Sequence, residues 1–325
     1  MQPSRRAFLL GRKAPRTPWQ VFCERLRHTC AGTLTAMPAG AADSAARPDG
    51  GQPAVHGSPV PELPEDAQAR WIPDGDADVR KALALCEAHG VVLALAGMAA
   101  PPVGRPVLWV DPARLNLLAR EPGAVPRWRA GPGVTLGELA RAGLPQFAHA
   151  APDTTLAAWY ADRGAANWPR GRGDLSGIHA AEVLLADGVS DRLGPFGAQD
   201  GEPLRSASLQ MLVPALFRVS SSPEAQWCRT QDDWPARYRL DALAPQAPAT
   251  VNLAHVLHGH GGTLAWLQAL VLEAVGHAMV TMAAPSDAPA ARPARARALD
   301  IRVKTLFDAK EIFPDTPDVI LPMTG

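Results

Sequence analysis

Lysine is scarce in this chain: of 32 basic residues only Lys13, Lys81, Lys304 and Lys310 are lysines, and 32 acidic residues balance the total to a formal charge of zero. The positive excess that marks a nucleic-acid binder is therefore missing. Cysteine is scarce too. Cys23, Cys30, Cys86 and Cys228 form no C-x-x-C pair and have no histidine at zinc-finger spacing. They read as reduced thiols, which excludes a disulfide frame or an iron–sulfur site. No apolar run reaches the roughly 18 residues of a spanning helix, so no membrane span is expected. A Walker lysine loop, a G-x-G-x-x-G opening a helix and a G-x-S-x-G elbow are also missing, which argues against ATPase, nicotinamide and serine-hydrolase chemistry.

What is present supports a real core. The 325 residues are 47% hydrophobic and 20% charged, enough for two modest domains or one with extensions. At the N-terminus, Ser4-Arg5-Arg6-Ala7-Phe8-Leu9 has the look of a twin-arginine export signal. Such a signal needs an apolar stretch next, whereas Gly11, Arg12, Lys13, Pro15 and Arg16 follow. A cytoplasmic location is expected, with a basic arm that docks on a partner as the other use of this segment.

Thr17-Pro18-Trp19-Gln20 has the form of a capping box with proline at the first helical position, predicting a helix to about Thr29 that docks through Trp19, Phe22 and Leu26. Residues 37–69 are a linker rich in Ala, Gly and Pro. Asp76 to Ala88 reads as an amphipathic helix stopped by Gly90. Strands are expected at Val91–Leu95, Val107–Val110, Val125–Ala130 and Ala180–Ala186, with a helix over Thr135–Ala142. Ser208–Val219 reads as a strand interrupted by Pro214. Thr263–Met282, apolar on most faces, reads as a buried helix, and Leu299–Phe307 as a final amphipathic one.

Four segments carry a resemblance. Asp78-Val79-Arg80 through His89-Gly90, Ala130-Gly131-Pro132-Gly133-Val134-Thr135-Leu136-Gly137-Glu138-Leu139, Glu182-Val183-Leu184-Leu185-Ala186-Asp187-Gly188 and the closing Lys304-Thr305-Leu306-Phe307-Asp308 to Phe313 stand in order. Together they resemble the FAD-linked oxidases (FAD-binding PCMH-type), most like the FAD-binding subunit of bacterial glycolate oxidase in a short, degenerate form. The resemblance covers residues 70–220 and 299–314. It implies an α+β fold of two subdomains clasping FAD, followed by a shortened cap region, and oxidation of a small 2-hydroxy acid by hydride transfer to the flavin. The organisation expected is an arm and helix (1–36), the linker (37–69), an FAD-binding-type domain (70–220) and a truncated cap with its C-terminal helix (221–325).

The cofactor residues carried over are Gly97, Met98, Ala99 and Ala100 at the pyrophosphate, Asp153, Thr154, Thr155, Leu156 and Ala157 near the flavin, and Gly177. Both loops depart from the family pattern. The first keeps one glycine and ends in Pro101-Pro102; the second has Ala157-Ala158 where the family has paired glycines. Glycines there let backbone N–H groups approach a pyrophosphate. Two uses of the fold follow: an FAD-dependent 2-hydroxy-acid dehydrogenase, or a non-catalytic subunit that supports a flavoenzyme complex.

His255, His258 and His260 form H-x-x-H-x-H in a glycine-rich segment. The spacing is open to a metal site, to a substrate site with His258 and His260 as catalytic groups, or to a loop whose histidines only cap and hydrogen-bond; no metal is assigned. Arg170 and Arg172 read as a solvated turn or an anion holder. Trp168, Trp227, Trp234 and Trp266 read as core or interface anchors.

Overall fold

A computed structural model describes residues 16–37, 67–98, 104–197, 204–276 and 292–315. The twin-arginine-like segment, the body of the linker, Ala99, Ala100 and the stretch after Gly276 up to Ala291 lie outside them. The chain is mixed α+β, as expected, and is organised on two sheets.

The N-terminal helix α1 (Pro18–Thr29) starts as its sequence dictates. The Thr17 hydroxyl accepts from the Gln20 N–H, and the Gln20 side chain accepts from the Thr17 N–H. Phe22 and Leu26 are fully buried in the main core, so the helix docks on the body of its own chain. The first sheet has the order β1-β2-β4-β3, from β1 (Gly32–Met37), β2 (Gln68–Pro73), β3 (Val92–Leu95) and β4 (Val107–Val110). β1 lies antiparallel on β2, and β2, β4 and β3 are mutually parallel. Helix α2 (Asp76–His89) buries Val79, Ala82, Leu83 and Cys86 and ends on Gly90 at φ 64°. That left-handed cap is why the sequence stops there.

The second sheet has the order β5-β6-β9-β7-β8: β5 (Leu118–Glu121), β6 (Arg127–Ala130), β7 (Ile178–Leu184), β8 (Ser190–Leu193) and β9 (Trp266–Glu273). Two short helices, α3 (Leu136–Arg141) and α4 (Leu156–Ala161), connect β6 to β7. α5 (Ala207–Ser220), α6 (Pro223–Arg229) and α7 (Ala294–Phe307) complete the described residues.

Two expectations are corrected. Thr263–Met282 is not a helix over its described part: Trp266–Glu273 is β9, antiparallel between β6 and β7. An apolar run buried on both faces carries no period, so helix and central strand look alike in sequence. Ser208–Val219 is not a strand but the interior of α5, which buries Leu209, Leu212, Val213, Leu216 and Val219. That is helical spacing, and Pro214 sits on the exposed side, where water can take the carbonyl its missing N–H leaves unbonded. α7 also begins earlier than expected, at Ala294. Because β9 occupies the centre of the second sheet, a boundary at 220/221 would divide one sheet.

Candidate functional site

Of the residues singled out for a cofactor, Ala157 at the start of α4 lines a crevice with Leu95, which ends β3 two residues before Gly97. β3 leads into a turn in which the Ala96 N–H donates to the Val110 carbonyl and the Met98 N–H to the Leu95 carbonyl. Gly97 takes φ 88° there, and a Cβ would meet nothing within 4 Å. This turn is exposed; it is not a tight glycine cradle.

The second predicted loop is built differently from a phosphate site. Thr155 caps α4, its hydroxyl accepting from the Ala158 N–H. The Leu156 N–H donates to Val134 O at 2.7 Å, Ala157 to Pro132 O at 2.9 Å, and Thr154 to Ala151 O at 3.1 Å. Every donor of the first helical turn is thus engaged inside the chain, whereas an anion site at a helix start needs them free. Asp153 is exposed ahead of this turn. The Gly131-Pro132-Gly133 segment is explained by packing: a Cβ on Gly133 would sit 2.0 Å from the Pro112 carbonyl oxygen.

A third segment, read in the sequence as a glycine-rich stretch carrying His258 and His260, converges on the same place. Gly259, Gly261 and Gly262 all have positive φ, at 84°, 75° and 71°. The Gly259 and Gly261 N–H groups donate to Tyr160 O and Ala161 O, both at 2.8 Å. The turn is therefore stitched to the end of α4, and the run Gly259-His260-Gly261-Gly262 was the available signal for it.

Together these elements enclose a narrow crevice. Leu95 of β3, Ala157 of α4, His260, Trp266 and Phe313 wall it, and its free space is about 10 Å³, room for one water molecule. A Cβ built on Gly262 would lie 3.4 Å from the Leu95 Cβ, so the two walls are about a methyl group apart. FAD does not fit this crevice as the described residues form it: its free space is too small for the ring system, and the N–H groups at the start of α4 are already engaged.

The three histidines do not gather. His258 is enclosed by the rings of Trp159, Trp168 and Tyr160, at centroid distances of 4.7, 5.4 and 5.6 Å. The Trp168 indole N–H donates to His258 Nδ1 at 3.0 Å, which assigns the proton to Nε2; that atom is buried and has no hydrogen-bond partner among the described residues. His255 Nε2 lies 2.9 Å from Ile178 O. His260 Nδ1 accepts weakly from the Leu264 N–H at 3.4 Å, and only this ring reaches the crevice. Among the described residues no group of three His, Cys, Asp or Glu side chains is placed to hold a metal. Gly177, the remaining predicted cofactor residue, lies elsewhere. Its carbonyl accepts from the Glu273 N–H, at the opposite end of β9, roughly 20 Å from the crevice at strand rise.

Arg172 pairs with Asp174 at 2.8 Å and Arg170 donates to Gln231 O, so both arginines of the 170–172 turn are tied internally. The neighbouring Arg163 donates to Ala166 O and Trp234 O, and burial beside Arg239 pulls its pKa down to about 10.

Burial holds the histidines neutral. It lowers His255 to about 4 and, with Arg237 and Lys304 nearby, His260 to about 3; His258 is also pushed well below the ordinary value. Each folded pKa lies below the unfolded one near 6.5. Between these values the unfolded chain binds more protons, so stability is full above about pH 6.5 and is lost as pH falls towards 3–4. Asp300, raised to about 6 by burial, acts oppositely between about 4 and 6 and offsets part of this loss. The expected result is a Tm lower by on the order of 10 °C at pH 4.5 than at pH 7, and a shallower fall in the His255→Gln/His260→Gln double variant. Equal slopes in the two proteins would remove the histidines as the cause.

Compared with known proteins, no family model matches this chain and no curated protein does. Solved structures do match. The 4-ethylphenol oxidase from Gulosibacter chungangensis, in complex with isoeugenol, is 14% identical; the match covers 64% of this chain and 35% of that one, with a TM-score of 0.38. BBE-like 1 from Physcomitrella patens is 13% identical over 77% of this chain and 43% of that one, with a TM-score of 0.39. The glucooligosaccharide oxidase from Acremonium strictum, a protein with covalently attached FAD, is 14% identical over 64% and 36%, with a TM-score of 0.36. The chain spans less than half the length of each of these structures.

Proposed function

We propose that this chain works in flavin-linked oxidoreduction, with the PCMH-type architecture whose cofactor is FAD, as a non-catalytic subunit that supports a flavoenzyme complex. The observation that carries this reading is convergence. The end of β3 just before the Gly97 turn, the start of α4 expected near the flavin, and the closing motif after Phe307-Asp308 that carries part of the resemblance bound one crevice between the two sheets. The architecture of the class is thereby retained, while the interior of the seam argues against catalysis by this chain alone.

A second reading is a dehydrogenase of small 2-hydroxy acids of the glycolate or lactate type, with FAD held by this chain. One observation favours it: His260 reaches the crevice beside Ala157, where a group acting on substrate would stand.

Absorption between about 350 and 500 nm, a property of the cofactor, separates the two. The chain purified alone is expected to be colourless, and the complex isolated natively through it is expected to carry flavin absorbance on another subunit. A yellow chain that turns over glycolate or lactate without any partner would replace the first reading by the second.

A further inference from the structure

We infer that the seam between the two sheets is a closed structural joint that takes no flavin in this chain. The inference deepens the reading above and rests on it for where a flavin would be expected. Four features of this chain carry it, three of them outside the altered loop sequences.

The first is the narrowness of the crevice. Leu95 and Gly262 line it together, and its free space, about 10 Å³, suits one water. A flavin ring could enter only if β3 and the 259–262 turn moved apart by the thickness of an aromatic ring. The second is that this turn cannot move freely, because Gly259 and Gly261 are hydrogen-bonded to the last residues of α4. A Cβ on Gly261 would meet the Arg237 guanidinium at 2.3 Å, so the turn is packed on its far side as well.

The third feature is the donor inventory. A diphosphate is held by convergent backbone N–H groups, and those of Leu156, Ala157 and Ala158 already point into Val134 O, Pro132 O and the Thr155 hydroxyl. Freeing them would undo the bridge that joins Thr135 to Thr155. The fourth is the clasp on the crevice's other side. Lys304 Nζ donates to Thr263 O at 2.8 Å and to Phe313 O at 3.0 Å, tying α7, the loop that leads into β9 and the Phe313 wall together. The Leu93 N–H donates to Ile312 O at 2.8 Å, so β3 is bound to the same segment. Opening the seam therefore breaks contacts on three sides at once.

The test uses the full chain, with FAD itself as the probe. After incubation with excess FAD and desalting, the protein is expected to retain no flavin absorbance and to show an unchanged Tm, since a ligand that binds only the folded state must raise it. Hydrogen exchange followed by mass spectrometry is expected to show slow exchange at Leu156, Ala157 and Ala158 before FAD is added, and the same rates afterwards. Retention of FAD near one per chain would overturn the inference, as would fast exchange at those three amides in the free protein. Either result would leave the oxidoreductase class standing. A native complex with no flavin on any subunit would instead remove that class and leave the closed joint intact.

Discussion

Replacing Asp308 by alanine is expected to destabilise the fold by about 3–5 kcal/mol, the usual cost of leaving one partner of a buried ion pair alone, and to lower Tm by on the order of 10 °C. The side chain has no solvent exposure. One carboxylate oxygen accepts from the Ile312 N–H at 2.9 Å; the other accepts from the Phe313 N–H at 2.8 Å and from Lys304 Nζ at 2.6 Å. Three donors are thus left short of an acceptor in the variant, two of them backbone groups that water cannot reach. Those backbone groups shape the turn in which Glu311 takes φ 53° and from which Phe313 reaches the crevice. Asp308→Asn keeps the size and one acceptor oxygen, so its loss should be intermediate. Thermal unfolding followed by circular dichroism decides the matter: an Asp308→Ala protein melting within a degree or two of wild type would show that the clasp does not hold the C-terminal segment.

The same aspartate explains why one sequence resemblance was easy to read. Lys304, Asp308 and Phe313 form a motif because a charge, its acceptor and the turn it organises must keep their spacing, whatever the seam contains. α1 was legible for a similar local reason: Thr17 and Gln20 satisfy one another across a single turn. α2 could be bounded at Gly90 because only a left-handed residue closes it there. Where the information was not local, the reading failed. β9 is apolar on both faces because it is flanked by β6 and β7, and nothing in its own sequence names those neighbours. α5 looked like a strand because Pro214 drew attention away from the helical spacing of Leu209, Leu212, Val213 and Leu216. The candidate site divides in the same way. Ala157 and His260, both singled out in the sequence, line one crevice, but the distance of Gly177 from them is a property of strand length and register. That His258 is a core group follows from Trp159, Tyr160 and Trp168, which the fold brings to it from sequence positions 90 to 99 residues away.

The second large effect is expected at Asp241. Changing it to alanine should cost about 3–5 kcal/mol, because Arg239 and Asp241 are only 3% and 2% exposed and form a two-point ion pair at 2.9 and 2.7 Å. Removal of the carboxylate leaves a guanidinium that cannot lose its proton inside the core. It also strips the Gly171 N–H of its acceptor, Asp241 Oδ2 at 2.9 Å. Arg239 in turn donates to Ala166 O and Trp168 O, so the pair fixes the 163–172 segment against the body and sets the indole that meets His258. Local consequences should therefore exceed those of a surface pair, which is worth about 0–1 kcal/mol. A double-mutant cycle isolates the coupling. Arg239→Met should be damaging alone, since the Asp241 carboxylate is left buried without its cation and the Trp168 carbonyl loses its donor, while Ala166 O keeps only Arg163. Arg239→Met/Asp241→Leu should be less unstable than the sum of the single changes by at least about 1 kcal/mol, because no charge is then left buried. Urea unfolding of wild type, Arg239→Met, Asp241→Leu and the double variant measures each corner. Strict additivity would mean that the two side chains are held independently, and that the order of the 163–172 segment comes from the tryptophan and histidine packing instead.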